Sequence, residues 1–140
     1  MFILILPNFK LSTTASNSNI TIAPHGTGFL DVAGGLVVSE TDTISGSGSG
    51  TDAVSLSTVM TFLDTSSGTS QLTMGAGTVG QIKIITMTVA GNAATMTTSN
   101  GNLTPNISTS IVWDAVGETA TFIYTGSKWA VMSRVDVTTS

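Results

Sequence analysis

The chain is 140 residues long, the length of one domain, and carries only four Lys or Arg against eight Asp or Glu, a net charge of −4. At 9% charged residues, against roughly 25% in an ordinary soluble protein, it cannot cover its surface with ions, so its 18 Ser and 25 Thr must take the polar role. Four cations give no basic footprint for nucleic acid, and the absence of Cys excludes disulfides, thiolate metal sites and thiol nucleophiles, which leaves stability to packing.

The chain opens on its longest apolar run, Phe2-Ile3-Leu4-Ile5-Leu6, which stops at Pro7, far short of the about 18 residues a membrane span needs. Without a basic leader or a cleavage site it does not read as a signal peptide, so a soluble protein with no membrane partner is expected. Five consecutive apolar side chains are poorly suited to water. With Phe9 they are expected to fill a groove on a neighbouring subunit or on a larger particle as an added strand, the alternative being the first strand of the protein's own sheet.

Residues 8 to 53 carry short apolar pairs, Ile20 and Ile22, Leu30 and Val32, then Leu36 to Val38, which read as strands too short to bury much alone. His25, the only histidine, sits in the turn Pro24-His25-Gly26. A triad with Asp31 would need a nucleophile elbow that the sequence lacks, so a surface histidine is expected. Glu40 and Asp42 share a strand face at spacing i, i+2, and Asp114 and Glu118 flank Gly117. Either pair could hold Ca²⁺ loosely or serve as a glycosidase pair, yet neither sits in a dense Asp/Asn/Gly loop, and solvated turn carboxylates are the expectation. The alternating Ser45 to Gly50 stretch has the composition of a flexible connector. The organisation expected is therefore an N-terminal anchoring arm over 1–45, a Gly/Ser linker or loop over 46–53, and a β-domain over 54–140.

Leu56, Val59, Met60 and Leu63 stand at helical spacing, but Ser and Thr neighbours of low helix propensity and the lack of a cap favour a strand. Gly75-Ala76-Gly77-Thr78-Val79-Gly80 matches the GxGxxG dinucleotide pattern. A β-like segment follows it rather than a helix, and the next carboxylate is Asp114, so a glycine-permitted turn between strands is expected, with no cofactor. Gln81 to Val89 is β-rich with an apolar phase shift at Ile84 and Ile85, implying a bulge or a strand covered on both faces. Gly91-Asn92 then suits a type II′ hairpin to Ala93–Thr98, and Asn100-Gly101 is a second turn. Ala120, Phe122 and Tyr124 alternate with Thr119, Thr121 and Ile123 as in a half-buried strand. After a turn at Gly126-Ser127, Trp129, Val131, Val135 and Val137 share one face of the last strand, opposite Lys128, Arg134 and Asp136. About seven short runs separated by Gly and Asn turns predict an all-β, antiparallel β-sandwich or small barrel with an extended N-terminal arm. Trp113 and Tyr124, with Trp129, could form a stacking platform for glycans, although Trp129 shares its face with Val131 and Val135 and core packing is favoured there. Sequons at Asn19, Asn102 and Asn106 matter only in a eukaryotic secretory setting, which nothing else supports.

The stretch Asn19-Ile20-Thr21-Ile22-Ala23-Pro24-His25-Gly26-Thr27-Gly28 resembles short repeats of bacteriophage fibre and tail proteins. Val54 to Val137 resembles a domain common in structural proteins of marine and cyanobacterial phages. The matching elements are the apolar-Thr run Thr58–Asp64, Gly80-Gln81-Ile82-Lys83, the Gly91-Asn92 turn, and the closing Gly117–Trp129 stretch with Phe122-Ile123-Tyr124-Thr125-Gly126-Ser127-Lys128-Trp129-Ala130-Val131. The resemblance implies a non-enzymatic, homotrimeric β-structure fixed on the virion, in contact with the major capsid protein or another virion protein. The short chain, starting at Met1, favours a capsid decoration (cement) protein or short head fibre. The alternative is a tail fibre, spike or receptor-binding module contacting host glycans through Trp113 or Tyr124, and a pilus-like or matrix protein is a third reading. Sheet edges that few charges or prolines blunt point the same way, because a symmetric partner can cover them.

Overall fold

A computed structural model describes residues 32, 34, 36–38, 40–105 and 109–139. The chain divides into two units, residues 1–37 and 38–140, and every described strand lies in the second. Of the arm expected over 1–45, residues 1–31, with the run Phe2 to Leu6, Phe9 and His25, lie outside the described residues, as does the sequon at Asn106, whereas Thr41–Ser45 at its end and Thr51–Ala53 in the expected 46–53 linker are strands of the β-unit. No described helix is long and apolar enough to cross a membrane.

Ten strands run in chain order: β1 Thr41–Ser45, β2 Thr51–Ala53, β3 Met60–Asp64, β4 Ser70–Thr73, β5 Ile82–Val89, β6 Ala94–Thr97, β7 Ser110–Trp113, β8 Thr119–Tyr124, β9 Trp129–Val135 and β10 Thr138–Thr139. They form two open five-stranded sheets, sheet A in the order β1-β3-β5-β8-β9 and sheet B in the order β10-β7-β6-β4-β2. Neither closes into a barrel. The inward side chains of both meet in one core: Leu63, Ile85, Met87, Phe122 and Trp129 from sheet A, and Leu72, Met96, Ile111 and Trp113 from sheet B, all fully buried.

The expected antiparallel pairing is corrected. From β1 to β6 the chain changes sheet at every step, so β1, β3 and β5 pair in parallel, as do β2, β4 and β6. This is a flattened coil of backbone in which each turn lays one strand on each sheet. Ile44, Leu63 and Met87 stack inward on successive turns. Only β6–β7, β5–β8, β8–β9 and β7–β10 are antiparallel. The sheets are therefore mixed.

Gly91-Asn92 is not a hairpin turn, because β5 and β6 belong to different sheets. It is a corner of the coil, held by the buried Thr65: the Thr65 hydroxyl donates to the Asn92 carbonyl at 2.6 Å, and Asn92 Nδ2 donates to the Thr65 carbonyl at 2.9 Å. The corner below it is as tight. A Cβ on Gly68 would lie 2.5 Å from the Gly48 backbone nitrogen, and one on Gly46 would overlap the Gly68 carbonyl. The Gly/Ser stretch after β1 accordingly crosses from sheet A to sheet B with Gly46 and Gly48 donating to the Asp64 and Thr69 carbonyls at 2.8 and 3.0 Å.

Ser55–Thr65 contains strand β3 and no helix. The register of β5 is continuous at Ile84 and Ile85, and the irregularity lies opposite Leu63 and Asp64 instead. Lys83, Ile85 and Met87 point inward while Ile84 and Thr86 point out, so β5 carries apolar residues on both faces. The alternation expected in β8 holds. In β9 a register shift opposite Thr121 and Phe122 breaks it. Val131 stays on the Phe122 side, but Val135 pairs with Thr119 on the outer side and is 57% exposed. Asp136, at φ 58°, then bends the chain across to sheet B, where Val137 is buried.

Candidate interaction surface

The aromatic residues weighed for glycan stacking are in the core. Trp113 is wholly buried and Tyr124 is 6% exposed, packed edge-on against Trp129 with ring centroids 5.2 Å apart. β7 and β8 direct both rings inward by simple alternation, and neither offers a face to a sugar. Trp129 Nε1 donates to the Gly75 carbonyl at 2.7 Å, and a Cβ on Gly77 would lie 2.7 Å from its ring, so the GxGxxG string is the loop that lets a tryptophan seat between β4 and β5.

The paired carboxylates have structural partners. Asp42 is half-buried on β1 and accepts from the Ser55 amide at 3.3 Å and the Thr61 hydroxyl at 3.5 Å, while Glu40 is exposed ahead of the strand. The buried Glu118 accepts from the Asp114 and Ala115 amides, closing the β7–β8 loop. Among the described residues no three His, Cys, Asp or Glu side chains gather as a metal site would require.

Sequence reasoning passed over Lys83. Its side chain is buried beneath sheet A, where Nζ donates to the carbonyl and hydroxyl oxygens of Thr58 at 2.8 and 3.0 Å. Burial pulls its ammonium down to about 8, and the Asp42 charge pulls weakly the other way. The inward phase of β5 was the available signal: Lys83 shares it with Ile85 and Met87. A cleft is lined by Leu103, Pro105 and Lys128, and Lys128 Nζ donates to Asn102 Oδ1 at 2.8 Å.

The outer faces of the two sheets differ in chemistry. Sheet B presents Thr51, Gln71, Thr95, Val112 and Thr138 in register, a mostly hydroxyl and amide row. Sheet A aligns Thr41, Met60, Ile84, Thr121 and Ser133 in one row, Thr43, Phe62, Thr86, Thr119 and Val135 in the next, and Ile82, Ile123 and Ala130 in a third. Hydroxyls soften it, as where Thr86 and Thr119 pair across strands at 2.7 Å. Its large side chains remain hydrocarbon: Ile82 is 43% exposed, and Met132, at the irregularity in β9, is 57% exposed. Two charges stand at the margins of these rows: Arg134, exposed on edge strand β9 between Ser133 and Val135, and Asp64, next along β3, whose carboxylate is held below its usual range by the hydroxyl and amide of Ser66. Contiguous apolar surface of this kind marks contact sites on soluble proteins.

No protein-family model and no curated protein sequence matches the chain.

Proposed function

We propose that the protein is a non-enzymatic structural component of a virion, a capsid decoration protein or short head fibre that works as a homo-oligomer and binds the major capsid protein or another virion protein. The observation that carries this reading is the apolar outer face of sheet A. In a chain with 9% charged residues, such a face favours burial against other protein surface over exposure to water. Phe2, Ile3, Leu4, Ile5, Leu6 and Phe9 supply a second apolar element, suited by composition to a groove on the shell. A lattice-binding protein adds stability to a shell by spanning subunit junctions, and needs complementary surface in place of a reaction centre. The glycan-binding reading loses its support, because Trp113 and Tyr124 are core residues.

The test is density for this chain on purified particles by cryo-microscopy, together with co-sedimentation of the purified protein and heads that lack it. Deletion of residues 1–10 is expected to abolish head binding while the circular dichroism of the β-unit is retained. Particles with no density for the chain, or full occupancy by the truncated protein, would remove the reading or its anchoring segment respectively.

A further inference from the structure

We infer that the outer face of sheet A is where a second copy of this chain packs, sheet against sheet. The inference deepens the virion reading by naming the partner of that face, and three observations carry it.

The first is charge. Every copy bears a net −4, so association is least opposed where the charges are absent. The rows through Met60, Phe62, Ile84 and Ile123 contain no ionisable side chain, and Asp64 and Arg134 stand only at their margins. Asp42 and Asp52 face inward on β1 and β2, Glu40, Asp114, Glu118, Lys128 and Asp136 sit outside the strands, and Arg134 on edge strand β9 pairs with the inward Ala120. A second copy can therefore approach this face without setting carboxylates against carboxylates. A basic partner would find only Asp64, at the margin, to pair with.

The second is extent. Five strands at about 4.8 Å spacing, each contributing about five residues at 3.3 Å, give a face of about 24 by 16 Å. Two such faces in contact remove about 800 Å² in projection and more once side-chain relief is counted, which approaches the about 1,000 Å² of the smallest specific interfaces. The third is contrast. Sheet B, built by the same coil, turns Thr51, Gln71, Thr95 and Thr138 outward. Val112 is the one apolar member of that row, so the hydrocarbon is concentrated on one of the two faces and does not follow from the coil itself.

Sedimentation velocity and native mass spectrometry of the full chain at micromolar concentration test this. The wild type is expected to be an oligomer. Ile84→Lys with Ile123→Lys, which puts two ammonium groups at the centre of the face, is expected to yield monomer, and Gln71→Lys on sheet B is expected to leave the oligomer intact. Because a lysine pair could damage the fold, Ile84→Thr with Ile123→Thr keeps strand-favouring residues and is expected to raise the dissociation constant about 30-fold or more. The chain has no cysteine, so Thr121→Cys reports directly: oxidation is expected to cross-link copies, and Gln71→Cys is not. A monomeric wild type, an oligomer indifferent to the Thr pair, or equal cross-linking from both cysteines would each overturn the inference. A monomer that still decorates heads would overturn this interface alone, whereas an oligomer that uses this face but appears on no particle would overturn the virion reading alone.

Discussion

At the scale of single residues, the two tryptophans show how the same ring is held in different ways. Both are fully buried. Trp129 Nε1 donates to the Gly75 carbonyl, while Trp113 Nε1 is buried with no hydrogen-bond partner among the described residues. Replacing either by Phe removes similar volume, but Trp129→Phe also loses the hydrogen bond to the Gly75 carbonyl, and Trp113→Phe removes a polar atom that was already unmatched. Trp129→Phe is therefore expected to destabilise the protein by about 1 to 3 kcal/mol more than Trp113→Phe, read from urea midpoints at constant slope. Equal losses would mean that the Gly75 contact contributes nothing. Lys83 makes the complementary case for charge. Its ammonium titrates at about 8 in the fold and near 10.4 in an unfolded chain, so between those values the unfolded state holds a proton that the folded state has released. Stability must then rise with pH across that window, by about 1 to 3 kcal/mol, the penalty being fully present below pH 8. Lys83→Met is expected to flatten this rise, and denaturant melts at pH 7.5 and 10 would show it.

At the scale of elements, the coil from β1 to β6 depends on corners where successive turns of backbone touch. Gly68 is the tightest of those with room for a substitution to be read, since its Cβ would meet backbone at 2.5 Å on the Gly48 nitrogen. Backbone cannot rotate away as a side chain does. Gly68→Ala is expected to cost about 2 to 4 kcal/mol, the range of severe overpacking or of local rearrangement, whereas Gly34→Ala, with open space around its Cβ, is expected to be neutral. Thermal melts of the two variants compare them directly. The same corners explain what the sequence made legible. Period-two alternation identified β8 and the inward Phe122, because that signal is local. Gly91-Asn92 was a turn, as read, but no local signal distinguishes a turn that reverses within one sheet from one that steps to the other. The partner of β3 lies about twenty residues away in each direction. A trace of the coil does exist: Gly46, Gly68 and Gly91 recur at 22 and 23 residues, each shortly after an inward Ile44, Leu63 or Met87. Three such repeats of small residues are too poor in information to be read as a period. The outer face of sheet A was hidden for a related reason. Ile84 and Ile85 were legible as apolar, but which of the two faces the core depends on Thr61 and Met60 beside them in β3. The register shift in β9, which turns Val135 outward, has no sequence marker.

At the scale of the whole molecule, the shortage of ions fixes how stability responds to its medium. Of the three described cations Lys83, Lys128 and Arg134, Lys83 is bonded to neutral oxygens of Thr58 and Lys128 to the neutral Asn102 amide, so neither lysine depends on a surface ion pair. The fold rests on the apolar core and the backbone ladders. Screening therefore has little to act on except the mutual repulsion of a net −4, which over the dimensions of a small domain is weak beyond about 10 Å at 0.1 M salt. The melting temperature is expected to move by less than about 3 °C between 0.02 and 0.5 M NaCl, the shift being upward as repulsion is screened. Sodium sulfate at equal ionic strength is expected to raise it further, because sulfate is excluded from protein surface and strengthens apolar burial. A steep fall with NaCl would point to ion pairs as a main support of the structure. Scanning calorimetry across the two salts separates these outcomes, since only the hydrophobic contribution grows with sulfate beyond the screening effect.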